Sequence, residues 1–427
     1  MVAFLIIGLF VLLILGMPVA LAIGIPSLLY ILLERDIPNF AAVQCMVAGA
    51  NTYTLLAIPL FIFAGNLMNT SGVTTRIYYF SNKIVGHIKG GLGHVNVVGS
   101  MIFAGMSGTA VADAGGLGNI EIDAMRKAGY NDSLTLGITA ASSTIGPIIP
   151  PSLPVVVYAV VASTSTGRLF AAGIVPGILM GLSLMVMVYL LADHYRTPVA
   201  EKRASLKDII LSFFDAFWSL LTIFIILGGI FLGIFTPTEA AAIASFYAII
   251  LGFFIYRSMS FSQFMDAVKQ SVVSTVQLMF IVVAATLFAW ILAREKVPQA
   301  VSNYILGLTD NYYLILLLIN IVLLIVGMFM ETIASINILV PVFLPIIDQL
   351  GIDPVHFGVI MILNLMIGLL TPPFGTVLFI LSSVANVSVE KVAKDTAVFL
   401  FPLLIVLALI VLFPQITLFL PNLIFGE

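Results

Sequence analysis

Four prolines and one glycine interrupt an apolar stretch at residues 141–159, which reads ASSTIGPIIPPSLPVVVYA. Proline removes a helical hydrogen bond and clashes with the carbonyl one turn earlier, so no helix runs unbroken through this stretch. The unwound backbone after Gly146 would present carbonyl oxygens to any cavity beside it. Hard oxygen ligands of this kind suit an alkali cation such as sodium. Hydroxyl groups that would add to them stand at Ser107, Thr109, Ser142, Ser143 and Thr144.

The same features return further along the chain. FAGMSGTAVA (103–112) matches IVGMFMETIA (325–334), and TIGPIIPPSLP (144–154) matches MIGLLTPPFGT (366–376). Gly146 and Gly368 are 222 residues apart, as are the corresponding residues of the other motif. One such motif alone would fit the ordinary use of Gly, Pro, Ser and Thr in membrane helices, but two motifs at a common offset indicate a repeat. A second cation site is therefore predicted around Thr332, Gly368, Thr371, Gly375 and Thr376.

The composition predicts the environment of these motifs. Of the 427 residues, 61% are hydrophobic and 9% are charged, and the mean hydropathy is +1.19. A soluble domain has about 25% charged residues, so we expect an integral membrane protein. Long apolar runs favour an all-α polytopic fold over a barrel of short alternating strands. Runs that reach about 20 residues, the length of a membrane span, occur at 2–33, 51–69, 133–165, 170–192, 209–235, 238–256, 270–293, 355–385 and 396–421.

Two further apolar stretches, 95–125 and 312–345, carry polar residues at their centres and are predicted to re-enter the membrane as helical hairpins. The runs with the proline motifs, 133–165 and 355–385, are predicted to be broken transmembrane helices. The chain then divides into a first repeat at 1–192 with scaffold spans at 2–69, a cytoplasmic linker at 193–208, a connecting scaffold span at 209–235 and a second repeat at 238–427.

Basic residues orient these spans. If each span crosses once and each hairpin returns to its own side, 13 of the 17 Lys and Arg residues fall on one face. The positive-inside rule makes that face cytoplasmic, which predicts a cytoplasmic N-terminus and a C-terminus on the opposite side. The two hairpins then enter from opposite faces, so the repeats are inverted. Inverted repeats with interrupted helices are typical of secondary transporters that bind their substrate near the midplane.

Other classes of membrane protein fit less well. An intramembrane hydrolase needs a base within hydrogen-bond reach of its serine, and no serine has an obvious His or Lys base at membrane depth. The single Cys45 cannot form an intramolecular disulfide, and the four histidines lack metal-ligand spacing. A purely structural scaffold has no need of two inverted helix breaks. The sequence therefore predicts a transporter and not an enzyme.

The hairpins GMSGTAVADAGGLG and GMFMETIASINILVP, each followed by a broken helix, IGPIIPPS or IGLLTPPFG, carry a family resemblance. The chain resembles, over essentially its whole length, the large membrane subunit of a tripartite ATP-independent periplasmic (TRAP) transporter, and most of all the sialic-acid branch. The resemblance implies an importer in the bacterial inner membrane, coupled to at least two Na+ ions and working by an elevator movement of the hairpins. It also implies two partners, a small four-helix membrane subunit and a periplasmic substrate-binding protein.

The resemblance also assigns sodium ligands. In the first half they correspond to Ser107, Thr109 and the backbone at Gly146, Ile149 and Pro151. The first hairpin reads SGT where the second reads MET, so the two sites need not bind equally. In the second half the ligands correspond to Gly327, Thr332, Gly368, Thr371 and Thr376.

The substrate is expected to be an organic acid. A carboxylate that enters a cavity of low dielectric needs a cation or several donors in place of water, and Arg294 is the preferred anchor because guanidinium grips carboxylates with two hydrogen bonds. Glu331 would accept hydrogen bonds from sugar hydroxyls, and Ser165 and Thr166 would complete the site. Asp113 is interpreted as a polar contact within the first hairpin. A self-sufficient sodium/dicarboxylate carrier, which needs no binding protein, is the alternative.

Overall fold

The computed structural model describes residues 2–34, 36–199, 202–309 and 311–426, so two residues of the predicted linker 193–208 lie outside it. All regular secondary structure of the described residues is helical. Eight helical segments among them are long and apolar enough to cross a membrane. The all-α polytopic fold class, with two repeats that each carry a hairpin and a broken helix, is confirmed.

The N-terminal region differs from the predicted single span at 2–33. Gly16 takes a left-handed conformation with φ +78°, and Pro18 follows two residues later, so the helix ends and restarts here. The second helix folds back on the first, because a Cβ on Gly8 would lie 3.2 Å from the Pro26 ring. The single span predicted at 2–33 is therefore wrong. The cytoplasmic N-terminus, which was derived from that one crossing, stays a prediction. The helices of this region are α1 (Val2–Ile14), α2 (Val19–Leu33), α3 (Phe40–Ala50) and α4 (Ala57–Thr70), with a 3-10 turn at Tyr53–Leu56.

The first repeat contains the first hairpin and the first broken helix. The hairpin turns at Gly108 and Thr109, and a π-helical turn at Asp113–Leu117 widens its second limb. Pro147, Pro150 and Pro151 keep residues 144–152 out of a helix. The helices are α5 (Val73–Val85), α6 (Gly91–Ser107), α7 (Ala110–Ala112), α8 (Gly118–Lys127), α9 (Asp132–Ser143), α10 (Leu153–Val161) and α11 (Thr166–Leu191).

Two helices follow the linker; the first packs on α5 and the second on α4. Each begins with a capping box, in which the Ser205 or Thr236 side chain accepts a hydrogen bond from the backbone three residues on. The capping carboxylate of Glu239 thus has a local structural role. The helices are α12 (Leu206–Phe231) and α13 (Pro237–Ile250), and a π-helical turn at Leu251–Ile255 extends the second.

The second repeat follows the order of the first. Its predicted last span, 396–421, is instead two helices, because Pro414 interrupts the run and the final helix packs against α11. The helices are α14 (Phe261–Arg294), α15 (Val297–Leu308), α16 (Tyr312–Phe329), α17 (Thr332–Gln349), α18 (Pro354–Gly368), α19 (Thr376–Ala385), α20 (Val389–Leu412) and α21 (Gln415–Phe425).

The repeats interlock by reciprocal contacts. In the first repeat α9 packs on α20 of the second, and α11 packs on α18 in return. Likewise α10 packs on α17, and α19 packs on α7 and the π-helical turn. Such an exchange of equivalent elements is what a two-fold relation between the repeats produces. The helix breaks of both halves therefore meet in the middle of the molecule.

Ion pairs join the repeats at corresponding places. Asp132, at the start of α9, accepts a hydrogen bond from Lys391 of α20 at 3.2 Å. Asp353, just before α18, lies 3.9 Å from Arg168 of α11. Arg126 also grips Asp132 with two hydrogen bonds of 2.9 and 3.1 Å. These contacts hold the ends of the exchanged helices together.

Candidate functional site

One cavity of about 620 Å³ lies where the two hairpins and the two helix breaks meet. Ser107 and Thr109 line it from the tip of the first hairpin, and Glu331 and Thr332 line it from the tip of the second. Pro147 and Thr376 belong to the two breaks. The volume lies within the roughly 300–1,000 Å³ of pockets that bury small ligands.

Four helices begin at this cavity. Its lining includes the first turns of α7, α10, α17 and α19. The first backbone N–H groups of a helix have no partner within the helix, and its dipole is positive at this end. The convergence favours an anion. None of the described lysine or arginine side chains lines the cavity.

The tip of the first hairpin rests on the first helix break. A Cβ on Gly146 would lie 3.4 Å from the Thr109 carbonyl oxygen, and one on Gly108 would lie 2.5 Å from the Pro151 carbonyl oxygen. Leu153 N–H donates to the Gly108 carbonyl at 3.2 Å. The structure thus brings the predicted ligands Ser107, Thr109, Gly146 and Pro151 into one neighbourhood. The side chain of Ile149 contacts α11 at Gly177.

The second hairpin approaches its break more closely. A Cβ on Gly368 would lie 2.6 Å from both the Cα and the carbonyl carbon of Gly327. The first repeat does not reproduce this contact, since Gly105 packs against Ile223 of α12. Thr371 Oγ1 donates to the Ile367 carbonyl at 2.9 Å, which leaves lone pairs on its oxygen. The two halves therefore differ locally although their helices correspond.

Three of the predicted sodium ligands are buried hydroxyls that lack partners. The Oγ of Ser107 and the Oγ1 atoms of Thr332 and Thr376 are shielded from solvent and make no hydrogen bond within the described structure. A buried polar atom without a partner costs roughly 1–3 kcal/mol, so it calls for a ligand. All three line the cavity. Hydroxyl and carbonyl oxygens of this kind fit an alkali cation.

Thr109 and Glu331 hold equivalent places 222 residues apart, and each caps the second limb of its hairpin. Thr109 Oγ1 accepts from the Ala112 N–H at 3.1 Å. Glu331 Oε2 accepts from the Ile333 N–H at 2.9 Å. The carboxylate therefore has a structural use as a helix cap in addition to its place in the cavity wall.

Three predicted substrate residues lie away from the cavity. Arg294 is exposed at the end of α14, where its guanidinium lies 5.9 Å from the centre of the Trp290 ring. It follows the last lining residue of α14, Ile281, by 13 positions, about 20 Å along a helix. Ser165 caps α11 by accepting from the Arg168 N–H at 3.4 Å, and Thr166 is the first residue of that helix.

The cavity wall also contains polar residues that the sequence analysis missed. They come from α4 and α14, the helices that face the hairpin tips, and Asn66 Nδ2 donates to Ser271 Oγ at 2.9 Å between them. Each lies in a largely apolar helix. Their spacing of three or four positions, which places them on one helix face, was the available signal. They are Asn66, Asn69, Gln270, Ser274 and Gln277.

Known proteins with similar sequences were found over nearly the whole chain. Residues 6–416 match the family described as "Tripartite ATP-independent periplasmic transporter, DctM component". The chain is 49% identical to the sialic acid TRAP transporter large permease protein SiaM of Vibrio cholerae, over 91% of this chain and 90% of that one. It is 44% identical to the C4-dicarboxylate TRAP transporter large permease protein DctM of Pseudomonas aeruginosa, over 87% and 86%. The solved YdaH transporter of Alcanivorax borkumensis shares the fold with a TM-score of 0.62 over 89% of each chain, at 15% identity.

Proposed function

The chain belongs to the DctM-component family of tripartite ATP-independent periplasmic transporters, and we propose on this premise that it imports a sugar acid of the sialic-acid type together with sodium ions. It is a permease and not an enzyme. The observation that carries the proposal is the cavity between the hairpin tips, where unpaired hydroxyls adjoin four helix N-termini. The hydroxyls supply oxygen ligands for cations, and the N-termini attract the carboxylate.

The wall residues support a polyhydroxylated substrate. The amides of Asn66, Asn69, Gln270 and Gln277 can both donate to and accept from hydroxyl groups. A small dicarboxylate would leave many of these groups unpaired, and Glu331 would repel its second charge. Uptake of labelled sialic acid into liposomes, driven by a sodium gradient and dependent on a periplasmic binding protein, tests this function. Uptake of succinate without such a protein would instead support a self-sufficient dicarboxylate carrier.

The cavity is proposed to open toward the cytoplasm. Its wall uses the end of α4 and the first half of α14, and the basic residues nearest these segments, Arg76 and Lys269, mark the cytoplasmic face by the positive-inside rule. Import across the bacterial inner membrane would then end in the state described by this structure. The small four-helix subunit and the periplasmic binding protein complete the proposed assembly.

The moving body of the proposed elevator is larger than the hairpins and broken helices alone. A Cβ on Gly137 of α9 would lie 2.4 Å from the Asp395 carbonyl of α20, and one on Gly173 of α11 would meet the Ile148 carbonyl of the first break. Packing this tight leaves no room for sliding. We therefore place α11 and α20 with the moving body, whereas α4 and α14 remain in the scaffold.

The unpaired hydroxyls give the sodium proposal a specific test. Thr332→Val and Ser107→Ala are expected to raise several-fold the sodium concentration needed for half-maximal uptake, because each removes an oxygen ligand. Neither should lower the thermal midpoint in sodium-free buffer, since neither hydroxyl has a protein partner to lose. Thr396→Val is the matched control, because its buried hydroxyl donates to the Val392 carbonyl away from the cavity. Unchanged sodium dependence in both test variants would contradict the assignment.

Arg294 tests the change of state. If the elevator brings the substrate to the outer end of α14, Arg294 contacts the carboxylate only in the outward-facing state. Arg294→Ala should then weaken apparent affinity for external substrate about tenfold or more, the effect of a charged hydrogen bond of roughly 1.5–3 kcal/mol. Release into the cytoplasm should be unaffected. Lys296→Gln, which removes a charge two residues away, is the control, and an Arg294→Ala variant with normal external affinity would exclude this role.

A further inference from the structure

Two carboxyl groups are buried within the first hairpin, outside the cavity lining. Asp113 stands in the π-helical turn and Glu121 in α8, and each side chain is 1% exposed. Their four carboxylate oxygens make no hydrogen bond within the described structure. Burying an unpaired carboxylate is so costly that the group must be neutralised, either by a proton or by a bound cation.

A third polar group faces this pair from α6. Ser100 is also 1% exposed, and its hydroxyl faces Asp113 without reaching a well-formed hydrogen bond. Asp113 in turn is close enough to Glu121 for their charges to interact. A Cβ on the neighbouring Gly99 would lie 3.2 Å from Glu121 Oε1, so the glycine lets this carboxylate approach the backbone of α6. Five oxygens without partners therefore lie buried on the two limbs of the hairpin.

No cationic side chain of the described residues pairs with these carboxylates. The second limb packs against α6, α9 and α19, and α19 contains no ionisable residue. The ionisable groups on α6, on α9 and on α8 itself have partners elsewhere: His94 Nε2 is 2.8 Å from the Lys89 carbonyl, Arg126 holds Asp132, and Lys127 lies 4.0 Å from Asp123. The neutralising charge must come from solution.

We propose that Asp113, Glu121 and Ser100 form a further cation site, which takes up one sodium ion. The oxygen set is hard and suits an alkali cation. The site is distinct from the two sites proposed at the hairpin tips, where the ligands are hydroxyls and backbone carbonyls. It stands whether or not the substrate is a sugar acid.

The site is connected to the cavity through the backbone. Asp113 N–H donates to the Thr109 carbonyl at 3.2 Å, and Thr109 caps the limb that lines the cavity. Ala112 and Gly115, on either side of Asp113, are themselves cavity residues. A change of charge at Asp113 therefore acts one residue away from the cavity wall, and the occupied site would help the hairpin tip keep its geometry.

Linkage of stability to ion concentration measures the number of ions bound. The thermal midpoint of the purified chain, with any membrane subunit that copurifies, is followed in a sodium series balanced with choline chloride and repeated at several pH values. The double variant Asp113→Asn, Glu121→Gln is expected to lose one sodium ion from the dependence of the thermal midpoint on sodium. Asp123→Asn, exposed on the same helix, is the matched control and should keep the wild-type dependence on sodium.

The sodium series decides the proposal. A sodium dependence reduced by one ion in the double variant supports the site; a sodium dependence equal to that of the wild type, whether or not the pH dependence changes, shows that the proposal is wrong. Should the double variant not fold, the wild type is treated with dicyclohexylcarbodiimide, which modifies protonated carboxyls in apolar surroundings. Labelling of Asp113 or Glu121 that sodium suppresses supports the site; labelling that sodium leaves unchanged, or no labelling under any condition, overturns it. The sodium dependence of Ser107→Ala and Thr332→Val tests the two sites at the hairpin tips, so the failure of those sites can be told apart from the failure of this one.

Discussion

A disulfide that joins α4 to the first hairpin is expected to stop transport. The pair Asn69→Cys and Gly116→Cys is suited to this, because a Cβ on Gly116 would lie 3.0 Å from the Asn69 Cγ. Two cysteines placed here bring their Cβ atoms near the roughly 3.5–4.5 Å that a disulfide requires. In a Cys45→Ser background, oxidation should abolish sodium-driven uptake into liposomes, and a reductant should restore it.

The control for this experiment also uses a disulfide on the first hairpin. A Cβ on Gly93 of α6 would lie 3.8 Å from Val188 Cβ of α11, so Gly93→Cys and Val188→Cys should close equally well. Both residues belong to the proposed moving body, and uptake should continue. Full activity with the Asn69–Gly116 disulfide demonstrably closed would exclude a large displacement of the hairpin against α4. Inhibition by the control disulfide would mean that α11 moves relative to the first hairpin, and α11 would then be assigned to the scaffold.

The second large effect is expected at Gly368. Gly368→Leu should abolish sodium-dependent uptake while the protein still inserts into the membrane, because even a Cβ would lie 2.6 Å from the Gly327 backbone. Backbone atoms cannot yield as side chains do, so the hairpin tip must separate from the break. Apparent sodium affinity and uptake in liposomes, with expression as the reference, measure this loss.

Gly146 provides a graded comparison. A Cβ there would lie 3.4 Å from the Thr109 carbonyl oxygen, which is an ordinary contact. Gly146→Ala should therefore keep much of its transport activity, whereas Gly368→Ala should lose most of it. Gly146→Leu is still expected to disturb the first site, because its branched side chain extends beyond that contact. If both leucine variants transported at wild-type rates with unchanged sodium dependence, the backbone of the helix breaks would not contribute ligands to the cation sites.

The repeat was predictable because it rests on residues with few backbone options. Proline forbids an intrahelical hydrogen bond wherever it stands, so IGPIIPPS and IGLLTPPFG indicate helix breaks without knowledge of any tertiary contact. The hairpins could be recognised because polar residues interrupt apolar stretches at matching positions. Both breaks and both hairpin turns appear where these signals stand.

The predicted single spans were wrong where the average hydropathy of a long run hid a local helix-ending signal. Gly16 and Pro18 end a helix inside 2–33, and Pro414 does so inside 396–421, yet both runs remained long and apolar enough to count as single spans. Arg294 was placed beside the transport segments by its position in the sequence. The distance from a helix end to a cavity depends on tertiary packing and on conformational state, and a sequence pattern predicts neither of them.

The scaffold side of the cavity shows a different limit. Asn66 and Gln270 lie in largely apolar helices, and their role depends on which face of the helix turns toward the cavity. A pattern with a period of 3.6 residues shows that a face exists but not what it faces. The hydroxyls at the hairpin tips were easier to recognise, because a second copy of their motif existed for comparison.

The exchange of helices between the repeats has a consequence for biosynthesis. Lys391 is 259 positions beyond Asp132, the residue with which it pairs, and a ribosome adding about 5–20 residues per second needs roughly 13–50 s to cover that interval. During this time α9 is already in the bilayer without the helix that will cover it. A nascent chain that stops in the loop after α11 would leave α9 and α10 facing lipid or a neighbouring protein. Quality-control proteases of the membrane should therefore remove the N-terminal half when it is made alone, although it contains a complete hairpin and a complete broken helix.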